Sequence, residues 1–433
     1  MKAEFSSLSG STQSEAQQCL QGHIYALRKF GALLFLVLRH REGITQVVID
    51  DPALVESSES LSLETPVRVR GVLQAHPTQA GAEELHATAI EVLSKSKGVP
   101  PVELAREKRM ESLSLNSLLE HRPLTLRNEK VRAIFKIEAE LCRAFLEFLC
   151  KESFTEIHSP KIVATGTEGG ASLFSLDYFG TTAYLAQSPQ FYKQIMVGVF
   201  ERVFEIGPVY RAEEHNTARH LNEYVSMDFE MGFIESEQDL IKMETRLLKR
   251  MFESLRENCA AELALFGASV PLIETIPQMK LAEAAELLHS KLGWKGSGQD
   301  LDPEAERLLY QYLLEKEGTE LVFLTHYPWT VRPFYAMPEK GTAASHSFDL
   351  LFRGLEITTG GQRIHEYEQL CQSIESRSMQ VEKFGDYLQC FKYGMPPHGG
   401  LAIGLERLAK QLLGLKNVRE ASLFPRDRTR ISP

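Results

Sequence analysis

Residues 203–230 carry the clearest pattern of apolar and polar positions in the chain. Val203, Phe204, Ile206 and Val209 read as a strand, interrupted by Glu205 and the Gly207-Pro208 pair. Arg211 and Glu213 follow two positions apart, so an extended backbone points both to one side. After a polar stretch, 214–222, a second strand alternates Tyr224, Ser226, Asp228 and Glu230 on one face. The pair predicts a strand-loop-strand unit with an inward-facing charged side. Arg, Glu, His and a flat aromatic ring gathered there suit a nucleotide: guanidinium for phosphate, carboxylate for metal or amine, ring for base. The plain alternative is an antiparallel hairpin with a solvated charged face. A second element argues against it, since 399–413 (GGLAIGLERLAKQLL) reads as a glycine-rich strand entering an amphipathic helix with Arg407 near its start.

Helical spacing also runs through 128–151, where Val131, Ile134, Phe135, Leu141, Cys142, Phe145, Leu146 and Leu149 recur every three or four residues. Residues 237–257 and 303–315 read as helices within a segment, about 235–335, that interrupts the sheet as an insertion without catalytic pattern. Strands resume at 347–355 and 398–405. Near the start, 33–39, 45–49, 67–73 and 85–93 are short strand-like runs; Val67, Val69 and Gly71 alternate with Arg68 and Arg70. Several short strands in so few residues predict a small closed barrel, of which the OB-fold, a shape that presents strands and loops to single-stranded nucleic acid, is the first candidate; a generic small β domain explains the pattern equally well. A polar, proline-punctuated stretch (SKSKGVPPVELAREKRMES) then breaks the pattern. The expected division is therefore a barrel over 1–95, a linker over 96–126 and a larger domain over 127–433.

Composition changes this picture little. A chain of 433 residues with 43% hydrophobic and 24% charged positions is globular and large enough for two domains. Its net charge of −10 argues against wholesale wrapping of nucleic acid, while a local basic face stays open. Six cysteines without a CxxC pair fit reduced thiols. No apolar run approaches the roughly 18 residues of a membrane span, and the first residues lack an apolar signal core. A cytoplasmic protein is expected.

Taken together, three segments resemble the ordered motifs of the class II aminoacyl-tRNA synthetases. The 128–151 helix followed by FTEIHSP matches motif 1, the 203–230 hairpin motif 2, and 399–413 motif 3. The strings SPKIVATGTEGGASLF, AQSPQFYKQ, VYRAEEHNTARHLNEY, SFDLLFRGLEITTGGQRIH, KYGMPPHGG and SLFPRDR resemble more narrowly the aspartyl-tRNA synthetases of archaeal and eukaryotic type. The resemblance implies an α+β fold: an N-terminal OB-fold barrel for the anticodon, followed by a class II catalytic domain with an antiparallel sheet flanked by helices. It also implies a homodimer through the motif 1 helix, ATP as substrate with Mg2+, and L-aspartate and tRNA(Asp) as partners, with tRNA(Asn) an open second. Asparaginyl-tRNA synthetase is the sibling alternative; a catalytically inactive tRNA-binding paralogue is the alternative of another class.

The same resemblance implies roles for single residues. Arg211 would hold the α-phosphate of ATP and Arg407 the γ-phosphate, Tyr224 would stack on adenine, Glu213 would read the adenine amine or the terminal adenosine of tRNA, and His220 would touch the distal phosphates. Asp349 and Glu356 would hold magnesium. Seven apart in a strand, they fall on opposite faces unless a bulge or turn intervenes; Gly354 can supply that bulge. Glu168, Gln190 and Asp228 would position the amino acid, Thr359 would stand beside the metal, and 167–170 (TEGG) would form a lid. Aspartate and asparagine are nearly isosteric, so charge must separate them. Lys193, with Arg363, is expected to meet the side-chain carboxylate, against the plain reading of a surface lysine on an amphipathic helix. On the barrel, Phe35 would stack on an anticodon base (its alternative being a core phenylalanine), and Arg28 and Glu84 would contact base edges. Gly22-His23-Ile24 stands where the family commonly has Gly-Trp-Val, and Tyr25 and Ala80 differ from discriminating members, which leaves the tRNA range open.

Overall fold

The computed structural model describes residues 17–78, 81–166, 172–214 and 217–433. The chain divides into two compact units, 1–128 and 129–433.

In the first unit five strands close into a barrel: β1 (Gln17–Phe30), β2 (Leu33–Arg39), β3 (Ile44–Ile49), β4 (Pro66–Ala75) and β5 (Glu83–Val92). Their order is β1-β2-β3-β5-β4, an OB-fold barrel. Period-two alternation turns Leu34, Leu36 and Leu38 of β2, Val67 and Val69 of β4 and Leu85 of β5 inward, where they are buried together. The intervening Phe35 is half-buried and outside that core. The longest strand, β1, is the one that the apolar pattern does not reveal. Its sequence alternates poorly because a bulge between Ile24 and Ala26 resets the register against β2. Gly22 lies so close to β2 that a Cβ would meet the Arg39 carbonyl oxygen at 2.4 Å.

The second unit holds a small three-stranded sheet, formed by β7 (Ile162–Val163), β8 (Ser175–Tyr178) and β9 (Thr181–Leu185), and a sheet of eight strands. The latter comprises β6 (Thr155–Glu156), β10 (Arg202–Tyr210), β11 (Glu223–Gly232), β12 (Gln278–Lys280), β13 (Leu321–Thr325), β14 (Ser347–Phe352), β15 (Leu355–Arg363) and β16 (His398–Gly404). Its order is β12-β13-β14-β15-β16-β11-β10-β6, antiparallel except at the two edge pairs. Helices Glu129–Lys151, Glu237–Asn258 and Leu405–Leu413 lay apolar stripes into one large core with this sheet. Ser236 and Asp239 form a capping box that fixes the start of the middle helix. A second cluster, rich in aromatic rings, includes Phe191, Phe334, Tyr335 and Tyr387, with Phe191 stacked on Tyr387 at 4.4 Å between centroids.

Two expectations need correction. The 235–335 segment is not a helical interruption: Glu237–Asn258 belongs to the main core, and β12 and β13 extend the sheet at one edge. Nor is 347–355 one strand. Arg353 and Gly354, with φ of 48° and 74°, turn the chain between β14 and β15. A register shift at Leu350/Leu351 then leaves Ile357 unpaired and brings Glu356 onto the side that Thr359 shares with its cross-strand neighbour Asp349. Among the described residues no helix is long and apolar enough to cross a membrane.

Candidate active site

A cleft of about 620 Å³ opens over the middle of the eight-stranded sheet. Gln190, Lys193, Arg211, Glu213, His220, Tyr224, Asp228, Glu356, Thr359, Arg363 and Arg407, expected from far-separated segments, all line it. Asp349 is not on the lining but lies just behind, bonded to the lining residue Arg332. Glu168 and the 167–170 lid fall outside the described residues.

One end of the cleft is a buried lattice of opposite charges. Lys193, on the helix Gln190–Phe200, is 2% exposed, so it is no surface lysine. Its ammonium donates to Asp228 Oδ1 at 3.0 Å and to the Leu401 carbonyl at 3.0 Å, and lies 3.2 Å from Glu230 Oε2. Arg363 donates from Nε to Glu230 Oε1 at 2.9 Å and from Nη2 to the Gly400 carbonyl at 3.0 Å and Gln190 Oε1 at 3.4 Å. Two cations thus meet two carboxylates. Burial alone would raise the Glu230 carboxyl, but Arg363 and Lys193 outweigh it and hold it below the usual range. The anionic partners that a buried Lys193 requires are thus supplied by the protein itself, as Asp228 and Glu230. Behind the lattice, Tyr387 donates to Gln194 Oε1 at 3.0 Å, and the Gln194 amide nitrogen meets His398 Nε2 at 2.8 Å. Burial lowers His398 to about 4, which leaves a neutral imidazole there.

The middle is shaped by the loop between β10 and β11. The Asn222 side chain donates to the Arg211 carbonyl at 2.7 Å and the Glu213 carbonyl at 3.0 Å, which curls the loop so that both residues reach the cleft. His220 Nε2 lies 3.8 Å from Glu213. Tyr224 opens β11. Glu406, in the first turn of the helix Leu405–Leu413, accepts from the Val225 backbone nitrogen at 3.1 Å. Burial pushes its carboxyl up to about 7.

At the other end three guanidiniums are each held by a carboxylate. Arg219 lies 2.8 Å from Glu306, Arg332 2.7 Å from Asp349 and Arg407 3.4 Å from Glu356. Thr359 donates to Glu356 at 2.9 Å. Burial and the neighbouring Glu356 raise the Asp349 carboxyl despite Arg332, whereas Arg407 and Thr359 overcome burial and hold Glu356 low. Arg219, Arg332, Glu230 and Glu306 have no part in the roles drawn from sequence. The signal for Glu306 was present: it borders the apolar stripe of Ala305, Leu309 and Leu313 on its helix. Asp349 Oδ1 is buried without a hydrogen-bond partner, and with Glu356 and Thr359 it offers hard oxygen donors, which fit magnesium.

On the barrel, Phe35 pairs directly with Arg28 across β1 and β2, so the two share the outer face. Glu84 is buried beneath Gln46, whose amide donates to it at 2.9 Å, and His86 at 3.2 Å. Gln46 is a further polar group of this face that the sequence reading passed over.

Residues 114–428 match the family of class II tRNA synthetases (D, K and N), and 19–93 match the OB-fold nucleic acid binding domain. The chain is 51% identical to the aspartate–tRNA(Asp/Asn) ligase of Deinococcus radiodurans, over 96% of this chain and 95% of the relative. It is 50% identical to the protein of the same name in Thermus thermophilus, over 96% of each. Among solved structures it is similar to asparaginyl-tRNA synthetase from Pyrococcus horikoshii complexed with asparaginyl-adenylate, with a TM-score of 0.89 and 30% identity over 96% of each chain. By the extent of these matches the chain belongs to the class II tRNA synthetases of the D, K and N group.

Proposed function

We infer that this chain is an aspartate–tRNA ligase, which activates L-aspartate with ATP and transfers it to the 3′ end of tRNA. The observation that carries the reading is the Lys193, Arg363, Asp228 and Glu230 lattice in the cleft of a class II fold; the names of the half-identical relatives support it. The lattice is balanced, so its response to substrate follows from charge. The substrate ammonium takes Asp228 as counter-ion, helped by Gln190, with Glu168 assigned to the same task. Lys193 and Arg363 are then left with Glu230 and meet the side-chain carboxylate of aspartate. Asparagine brings the ammonium but no such anion, and leaves buried positive charge underpaired, at a cost of about 3 kcal/mol or more.

The α-carboxylate of aspartate attacks the α-phosphorus of ATP, giving aspartyl-adenylate and pyrophosphate. Arg211 faces the α-phosphate, Tyr224 stacks on adenine, Glu213 reads its amine, and Arg407 with His220 and Arg219 receives the distal phosphates. Asp349 and Glu356, with Thr359 beside them, would hold Mg2+, which when bound neutralises phosphate charge. The terminal ribose hydroxyl of tRNA then takes the aspartyl group. Arg28, Phe35 and Glu84 are assigned to the anticodon, within a barrel domain over 1–95 joined by a linker to the catalytic domain.

We propose further that both tRNA(Asp) and tRNA(Asn) are substrates, as the names of the two relatives suggest, and that the protein works as a cytoplasmic homodimer. The cysteines are free thiols, which suits a reducing compartment. The test of the amino-acid assignment is pyrophosphate exchange into ATP. Exchange that depends on aspartate supports it, and exchange driven by asparagine overturns it.

A further inference from the structure

Arg332 occupies an unusual place in the cleft. Its Nη2 donates to Asp349 Oδ2 at 2.7 Å, and its guanidinium lies over the buried Tyr327 ring, 3.7 Å from the centroid. The Arg332 Nε and Asp349 Oδ1 are both buried without hydrogen-bond partners, so the ion pair uses one point of contact where two were available. Glu356, beside Asp349, is faced by Arg407 at 3.4 Å. The two carboxylates assigned above to the metal are thus matched by two guanidiniums. The exposed Asp300 adds a further carboxylate within electrostatic reach of Arg332 and Glu356.

We propose that Arg332 is an internal counter-ion that keeps Asp349 and Glu356 from taking up a bare divalent cation, so that the metal enters with the nucleotide. This rests on the reading of those two carboxylates as metal ligands. A divalent ion approaching a neutralised pair gains little Coulomb energy and must displace a charge-assisted hydrogen bond. A triphosphate changes the balance, because its oxygens complete the coordination of an ion that two carboxylates alone hold poorly. It also offers the guanidinium new anionic partners. Tyr327 gives Arg332 a second anchor, so Asp349 can change partner without expelling the arginine from the site. An arginine placed only to secure the β14 strand would need no such exchange.

The test is Mn2+ binding to the full chain, followed by paramagnetic resonance of the free ion, first without nucleotide. Arg332→Met is expected to tighten bare Mn2+ at least roughly tenfold over wild type, a conservative share of the effect of one charge at contact distance. Arg332→Lys, which keeps the charge, is expected to stay near wild type. Arg332→Gln repeats the test with a polar neutral side chain, should methionine disturb the packing on Tyr327. Adding Asp349→Asn to either neutral variant returns binding to the weak level. If both neutral variants bind bare Mn2+ no more tightly than wild type, the counter-ion role is overturned. The same titration with ATP present isolates the premise. Loss of the ATP-dependent Mn2+ signal in Asp349→Asn supports the ligand assignment, and its retention in Asp349→Asn and Glu356→Gln overturns that assignment and the inference with it.

Discussion

Replacing Lys193 with methionine tests the charge lattice most sharply. The ammonium is 2% exposed and lies within 3.2 Å of both Asp228 and Glu230. Its removal leaves two buried carboxylates with Arg363 as their remaining cation in the lattice, and breaking a buried ion pair from one side costs about 3–5 kcal/mol. The first consequence is a loss of folding stability of that order, read as a lower urea midpoint. The second is functional, since Arg363, already paired with Glu230, is then the one lattice cation left to meet the side-chain carboxylate of aspartate. The same energy range in the transition state lowers kcat/KM for aspartate by about two to nearly four powers of ten. A double variant tests the balance. Lys193→Met with Glu230→Gln removes one charge of each sign and frees Arg363 from Glu230 to meet the side-chain carboxylate, so stability and aspartate activation both recover in part. Pyrophosphate exchange at saturating ATP reads the activity. Exchange by Lys193→Met within about fivefold of wild type, or no recovery of exchange in the double variant, would refute the reasoning.

Other outcomes follow from the same geometry. Glu306→Gln weakens the hold on Arg219, and the KM for ATP in pyrophosphate exchange is expected to rise roughly tenfold, with that for aspartate little changed; an unchanged KM for ATP contradicts the arrangement. Burial pushes Glu244 up to about 8, so from pH 5 to 8 the folded chain holds a proton that the unfolded chain has released. Wild type loses that contribution as pH rises through this window, and Glu244→Gln removes the dependence. Its stability relative to wild type in urea melts should therefore grow by about 1 kcal/mol per pH unit; a constant difference contradicts the reading. Phe35→Ala is expected to raise the KM for tRNA about tenfold through lost stacking, without effect on pyrophosphate exchange; equal loss in both assays would point to a folding role instead.

The parts of the molecule that were legible in the sequence are those in which local period and site coincide. The hairpin carrying Arg211 and Tyr224, the strand-to-helix join before Arg407 and the stripe of Glu129–Lys151 each announce themselves within one short window. What was missed depends on partners distant in sequence. Arg332 stands in a stretch without apolar period, and its significance lies in Asp349, 17 residues on. Glu306 meets Arg219 across 87 residues. Lys193 was recognised as unusual, yet its state could not be read, because Asp228 and Glu230 reach it only when β11 lies beside the helix Gln190–Phe200. The first strand escaped because a bulge breaks its alternation; Gly354, expected to supply a bulge, instead forms a turn with Arg353, the bulge lying at Leu350/Leu351. Charged residues on apolar stripes, Glu244 and Glu306 among them, were the signal left unused.

The central claim is that the protein places aspartate on tRNA. Purified protein with ATP and Mg2+ would be offered labelled aspartate or asparagine, in separate reactions with tRNA(Asp) and tRNA(Asn) transcripts. The account predicts that aspartate is joined to both transcripts and asparagine to neither. Aspartate on tRNA(Asp) alone would narrow the tRNA range and leave the lattice intact, whereas asparagine joined to either transcript would contradict the account at its root.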